Sequence, residues 1–151
     1  MNKPLRMDNA RIRNIAFVIL ILVVFTIYSF RHISVPVTYT FEEEYMSLSG
    51  PTDADFTVDI PYSDILSVSL SESPPDLGKE LSNTSTKSCL NGTWENETYG
   101  VYSLYAWPKV TDFIVIETSN GFILCNFESN DATAHLCTAI QELLAKKTAT
   151  G

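Results

Sequence analysis

Ile15 through Phe30 is a run of sixteen residues without a charge, and Thr26 and Ser29 are its only clearly polar members. A helix in a water-soluble core needs one apolar stripe, not apolar residues on every face. A bilayer core takes roughly 20 helical residues. Ile12 extends the run on one side, with Arg13 reaching back to the headgroups, and Ile33 and Val35 extend it on the other. Tyr28 and Phe30 fall where an aromatic belt would place them. The expectation is a transmembrane helix over residues 14–35. A cleaved signal peptide is the competing reading, since the basic and apolar regions are both present. It needs small residues at its cleavage site, and Ser29-Phe30-Arg31-His32-Ile33-Ser34 supplies no such site. A retained anchor is therefore expected, with a secreted form as the alternative.

Basic residues near the ends of a span set its orientation. Lys3, Arg6, Arg11 and Arg13 precede the run, whereas Arg31 follows it and Glu42, Glu43 and Glu44 come next. Residues 1–13 are expected in the cytoplasm and residues 36–147 outside it, as a domain of the cell membrane's outer side. Without its first thirty residues the chain loses four positive charges and one negative, and its net charge falls from −8 to −11. Such a domain repels nucleic acid and anionic lipid headgroups. The remaining 121 residues suffice for one core and not for two.

Along that domain, Val35–Phe41, Tyr45–Ser49 and Phe56–Ile60 have strand character, the last with clean alternation. Ile65–Ser71 sets Leu66, Val68 and Leu70 against three serines, one dry face and one wet. Residues 72–98 begin with Pro74-Pro75 and continue in Asn, Ser, Thr and Lys, a composition expected of a long mobile loop or insertion. Gly100–Trp107 returns to strand character. Residues 112–119 and 122–127 then flank Asn120-Gly121, the preferred pair for a two-residue hairpin turn. That turn would set Ile114 opposite Phe127, Ile116 opposite Cys125 and Thr118 opposite Ile123. Ser129, Asn130 or Asp131 caps a closing helix to about Lys147, whose stripe is Leu136, Cys137, Ile140, Leu143 and Leu144. Residues 148–151 are expected as a disordered tail. The fold class is thus mainly β with a C-terminal α-helix: about seven mostly antiparallel strands in a bent sheet or small barrel, capped by one helix.

Ile60-Pro-Tyr-Ser-Asp-Ile-Leu-Ser-Val-Ser-Leu70 resembles the IPYSDI-x-S-V-x-L stretch of bacterial pleckstrin-homology-like domains. Phe113 to Asn126 resembles their I-V-I-x-T-x-x-G-x-x-x-x-N hairpin, which leads into a final helix. The resemblance spans roughly Tyr45 to Lys147. It implies a pleckstrin-homology-like fold beside a membrane anchor, with no shared enzymatic activity or catalytic residues. It implies no phosphoinositide site either, and the acidic charge argues against one. The segment between the two stretches, usually glycine-rich with a basic residue or two, is here Asn/Ser/Thr-rich and carries Cys89 and Trp94.

Little catalytic chemistry is legible. The two histidines are His32 at the membrane edge and His135 one residue off the helix stripe, and no nucleophile–base motif or phosphate loop occurs. Cysteine spacing fits no zinc site. Cys125 and Cys137 are expected as buried thiols, and Cys89 as an exposed, reactive one. Asp53, Asp55, Thr57, Asp59 and Asp64 match a calcium-loop register, but Val58 stands where glycine is needed and the segment alternates as a strand. Coincidence is the better account. Asn83, Asn91 and Asn96 each open a glycosylation sequon, which an Asn/Ser/Thr-rich loop produces by chance. No catalytic residue, metal or cofactor is therefore expected.

Trp94, Tyr99, Tyr102, Tyr105 and Trp107 give an aromatic-rich region that suits either sheet packing or a binding surface. The expected function is a non-catalytic single-pass membrane protein, anchored in the bilayer through residues 14–35. Its exported domain binds another membrane or envelope protein, with those five aromatics as the candidate surface. The alternative is a domain that binds or senses a small molecule or lipid, held between sheet and helix.

Overall fold

The structure, a computed structural model, describes residues 17–26, 37–50, 57–82, 84–85 and 87–150. The chain divides into two compact units, residues 1–34 and 35–151. In the first, residues 17–26 are helical and Phe17 through Phe25 are exposed apolar side chains. Among the described residues no helix is long and apolar enough to cross a membrane. The ends of the expected span, with Tyr28, Arg31 and His32, lie outside the described residues.

The second unit is mainly β, with two sheets and a C-terminal helix. Strands β1 (Thr38–Phe41), β2 (Tyr45–Ser49) and β3 (Thr57–Pro61) form an antiparallel meander. The larger sheet holds β4 (Ile65–Ser71), β5 (Lys79–Glu80), β6 (Leu90–Asn96), β7 (Gly100–Ala106), β8 (Phe113–Thr118) and β9 (Gly121–Cys125). Its order is β4-β8-β9-β7-β6-β5. The pairings are antiparallel except that β7 runs parallel to β9, in keeping with the expected mostly antiparallel order. The β8–β9 hairpin occupies the centre.

A 3-10 turn, Tyr62–Asp64, carries the chain from one sheet to the other. The Tyr62 amide donates to the Glu44 carbonyl (3.0 Å) and its hydroxyl to the Glu42 carbonyl (3.1 Å). The Asp64 carbonyl accepts the Ser119 amide at 2.9 Å. Lys147 closes the same corner: its Nζ lies 4.8 Å from the Tyr62 ring centroid and donates to the Glu43 carbonyl. The helix spans Asn130–Thr150, so the expected tail after Lys147 is helical as far as Thr150. Ser129 caps it, its Oγ accepting the Ala132 amide at 3.1 Å.

Sheet and helix meet where their patterns require. Ile114, Ile116, Ile123 and Cys125 face Met46, Leu48 and Ile60 of the smaller sheet and Leu136, Cys137 and Ile140 of the helix. Burying each large aliphatic side chain contributes about 1.5–3 kcal/mol. The opposite face of the large sheet is also buried, by Trp94, Tyr102, Leu104, Phe113, Val115 and Leu124 with Leu77, Leu90, Tyr99 and Phe122 against them. Burial on both faces is why Phe113-Ile-Val-Ile116 and Phe122-Ile-Leu-Cys125 are continuous apolar runs.

Two register details differ from expectation. In the hairpin Ile114 opposes Cys125, Ile116 opposes Ile123 and Thr118 opposes Gly121, so Ser119 and Asn120 form the turn. The slip of two residues keeps every side chain on its expected face. In β4 the register shifts between Ile65 and Ser67. This irregularity turns Ile65 inward with Val68 and Leu70 and leaves Leu66 64% exposed.

The larger correction concerns residues 72–98, which hold β5 and β6 and are not one long loop. Strand β6 pairs with β7 from Leu90–Ala106 to Asn96–Gly100. Its other edge is closed largely by hydroxyls. Ser85 Oγ accepts the Asn91 amide (3.1 Å), Thr84 Oγ1 donates to the Asn91 carbonyl (2.8 Å), and Ser82 Oγ accepts the Thr93 amide (3.0 Å). The Leu81 amide completes the set on the Thr93 carbonyl at 2.8 Å. Glu80 Oε1 gathers the segment by accepting the amides of Thr84 (2.6 Å) and Ser85 (2.8 Å). Burial pushes the Glu80 carboxyl up, yet the donors from Ser85 and Thr84 outweigh it and hold it below its usual range.

Gly92 makes this closure possible. Its φ is +101°, and a Cβ there would stand 2.1 Å from Ser82 Oγ and 2.3 Å from Thr84 Oγ1. Gly100 has φ +65° with open space around it, so it shares the backbone strain without the clash. Gly100→Ala is expected to cost about 1–2 kcal/mol. Gly92→Ala should cost about 3 kcal/mol or more, because the hydroxyls cannot move without losing bonds to β6. Chemical denaturation of the two variants checks this ordering. Equal losses would show that the hydroxyl closure is absent.

Candidate functional site

One rim of the domain gathers the ends of several elements. Strand β7 ends at Ala106 and β9 at Cys125, side by side because the two strands are parallel. The residues just beyond them, Trp107 and Phe127, therefore emerge together. Asn126 fixes the first of them. Its side chain is fully buried, its Oδ1 accepts the Trp107 amide (2.6 Å), and its Nδ2 donates to the carbonyls of Trp107 (3.3 Å) and Val110 (3.2 Å). Thr133, also fully buried, fixes the second: its Oγ1 accepts the Phe127 amide (3.0 Å) and donates to the Ser129 carbonyl (2.8 Å). Asn130 Oδ1 accepts the amides of Thr111 (3.1 Å) and Asp112 (3.3 Å), which ties the β7–β8 connection to the start of the helix.

Between these ends and the start of β1 lies a cleft of about 280 Å³, lined by Val37, Thr38, Tyr39, Trp107, Phe127, Glu128 and Ala132. The Tyr39 ring packs edge-to-face with that of buried Phe127, at 84° with centroids 5.1 Å apart, and Phe41 continues the aromatic surface 5.5 Å from Tyr39. Glu128 is exposed. The Trp107 Nε1 is buried without a hydrogen-bond partner. The lining residues include no histidine, cysteine or serine; the cleft offers aromatic and aliphatic surface with the Thr38 hydroxyl and the Glu128 carboxylate.

The five aromatics expected to share a surface do not share one. Trp94, Tyr102 and Tyr105 are buried; alternation along β7 sends Tyr102 and Tyr105 to opposite sides, and Trp94 on β6 pairs with Tyr102. Trp94 and Tyr102 enter the outer cluster with Tyr99, whose ring is 5.1 Å from that of Phe122. The Tyr102 hydroxyl donates to the Leu77 carbonyl at 2.7 Å. Tyr105 enters the cluster beneath the helix. Trp107 alone of the five lines the cleft. Tyr39, Phe127 and Glu128 were missed because Tyr39 lies on β1 of the smaller sheet, far in sequence from the other two, and because Phe127 and Glu128 come beside Trp107 only through the β7–β9 pairing.

Other predicted residues also find their places. His135 is exposed on the helix. Asp59 accepts a hydrogen bond from Ser47 Oγ and, with Asp64, lines a second cleft of about 110 Å³. Asp53 and Asp55 lie outside the described residues, and among the described residues no cluster could hold a metal ion. Asn91 is fully buried and neither atom of its amide group is bonded, so its sequon is closed to glycosylation in the folded domain. Asn96 is engaged with the Asp76 carbonyl (2.6 Å), while Asn83 lies outside the described residues. Comparisons with protein-family models, curated proteins and solved structures gave no match.

Cys89 corrects an expectation. It is 3% exposed, packed in the cluster beneath the helix, and not an exposed reactive thiol. Burial pushes its pKa up to about 11 against a lowering contact with the Ala106 backbone. Cys125 is pushed up to about 12 by burial and by Cys137, and Cys137 is itself raised by burial. Thiolate is the reactive form, so at pH 8 all three cysteines should react slowly with a thiol reagent in the folded protein. All three should react promptly after denaturation without reductant. One fast thiol at position 89 in the folded state would show that Cys89 is not buried in that cluster.

Proposed function

We propose that this chain is a single-pass membrane protein whose exported, pleckstrin-homology-like domain is a non-catalytic binding module. The cleft carries the reading. Its walls are set by buried hydrogen bonds of Asn126 and Thr133, which is the preorganisation a binding site needs. Its lining is mostly aromatic and aliphatic, with Thr38 and Glu128 as its polar members and no histidine or cysteine. Two sheets with a closing helix support the pleckstrin-homology-like assignment, while the parallel β7–β9 pair sets this domain apart from a plain antiparallel meander. The apolar run and the basic residues before it support the anchor and the export of the domain. The partner is an envelope component that reaches the Tyr39–Trp107 rim. A ligand held in the interior, between sheet and helix, is disfavoured because Cys125, Cys137 and Ile140 fill that space.

The test is made in intact bacterial cells with the full chain. A C-terminal alkaline phosphatase fusion is expected to be active, and a photo-crosslinking residue replacing Tyr39 should form an adduct that the same residue replacing exposed Leu66 does not. An inactive fusion rejects export. Equal adducts from both positions reject the cleft as the binding site.

A further inference from the structure

The free edges of the two sheets are treated differently, and the difference marks one of them. An open strand edge pairs readily with other chains, so folds blunt such edges with short strands, proline or covering side chains. Strand β4 is covered by the helix, whose Gln141 Nε2 donates to the Val68 carbonyl at 2.9 Å. Strand β5 is two residues long, and the rest of that edge carries the hydroxyls of Ser82, Thr84 and Ser85. Strand β3 ends in Pro61 and borders the β8–β9 turn across the smaller cleft. Strand β1 has no such device. Thr38, Tyr39, Thr40 and Phe41 are all exposed, and among the described residues they pair on one side only.

The register of β1 says which of its groups are open. The Glu42 amide donates to the Tyr45 carbonyl at 2.9 Å, and Thr40 opposes Ser47 and Thr38 opposes Ser49. Bonded pairs alternate along an antiparallel ladder, so Thr38 and Thr40 bond to β2 while the amides and carbonyls of Tyr39 and Phe41 point away from it. Tyr39 and Phe41 oppose Leu48 and Met46, both fully buried, so their side chains stand on the inner face at the rim of the core. The cleft of about 280 Å³ opens on that face, since Tyr39 also lines it. A strand added beside β1 would satisfy the open backbone groups and set alternate side chains over the cleft. Charge narrows the choice of partner. Glu42, Glu43 and Glu44 follow β1 directly, all exposed, in a chain of net charge −8. Lys147 at that corner is engaged with the Tyr62 ring and the Glu43 carbonyl. A second copy would bring the same acids and the same net charge to the edge. We infer that β1 accepts an extended, basic segment of another protein as an added strand, with apolar side chains at alternate positions facing the cleft. The inference rests on the cleft being the binding site and adds the form and charge of the partner.

The probe is a phage library of random dodecapeptides, selected against the full chain in maltoside micelles. Enriched peptides are expected to alternate apolar residues and to carry more Lys and Arg than Asp and Glu. With an enriched peptide bound, hydrogen exchange at the Tyr39 and Phe41 amides should slow roughly ten-fold more than at Thr38 and Thr40, which are already in the ladder. Methylating one alternate set of the peptide's backbone nitrogens should abolish binding, and methylating the other set should not. Glu42 and Glu44 are exposed, so the double change Glu42→Gln and Glu44→Gln should keep the folded spectrum and weaken binding roughly five-fold, a difference that added salt narrows. No enrichment, enriched peptides without alternation or basic excess, equal slowing at Thr38 and Thr40, or indifference to the double change overturns the inference. Slow exchange at Tyr39 and Phe41 in the chain alone overturns it too, and slowing that grows with protein concentration identifies a second copy as the occupant. If selection fails while Tyr39 still gives its specific adduct in cells, strand addition is wrong and the binding site stands. If both fail, the cleft is not the site.

Discussion

The amide of Asn126 is the contact on which the functional end of this domain depends. A buried primary amide is costly unless its donors and acceptor are met. Here Oδ1 takes the Trp107 amide, and Nδ2 serves the carbonyls of Trp107 and Val110. Those three backbone groups belong to the turn after β7, and the Asn126 amide itself donates to the Tyr105 carbonyl at 3.0 Å. One residue thus ends the parallel β7–β9 ladder and replaces it with side-chain bonds. Trp107 and Phe127 leave the sheet from that point, so the cleft inherits its geometry from a polar group in the core.

A similar substitution of side-chain for backbone bonding closes the other side of the sheet. Strand β6 has β7 on one side, and on the other β5 pairs with it only at Glu95 and Trp94. An open strand edge invites pairing with other chains. Ser82, Thr84 and Ser85 cover the rest of that edge with hydroxyls, and Gly92 provides the room. Cys89, just before β6, is buried in the cluster beneath the helix.

What was legible in the sequence follows from these devices. The helix stripe and the alternating strands β2 and β3 were readable because burial there imposes a simple period, β4 was readable except at its irregularity, and the β8–β9 hairpin was marked by Asn120-Gly121 between two apolar runs. The stretches Ile60–Leu70 and Phe113–Asn126 both have architectural work here: Tyr62 and Asp64 join the sheets, and Asn126 ends the hairpin. Strand β6 was hidden because Leu90-Asn-Gly-Thr-Trp-Glu-Asn96 has glycine at a strained position and polar residues whose partners come from a neighbouring loop. No period records that. The site was least legible of all. Trp107 was singled out among aromatics that proved to be core, while Phe127 and Glu128 come beside it only through a parallel pairing that hydrophobic pattern cannot specify, and Tyr39 arrives from the other sheet.

The decisive measurement is hydrogen exchange at the Trp107 amide in the full chain and in Asn126→Ala, with the Leu124 amide in the centre of the sheet as the internal reference. If Asn126 holds the turn, the Trp107 amide is strongly protected in the native protein. In the variant its exchange should accelerate at least ten-fold more than that of Leu124, the amount one lost hydrogen bond of about 1.4 kcal/mol implies. A Trp107 amide that exchanges freely in the native protein, or that changes only in step with Leu124, would contradict the account.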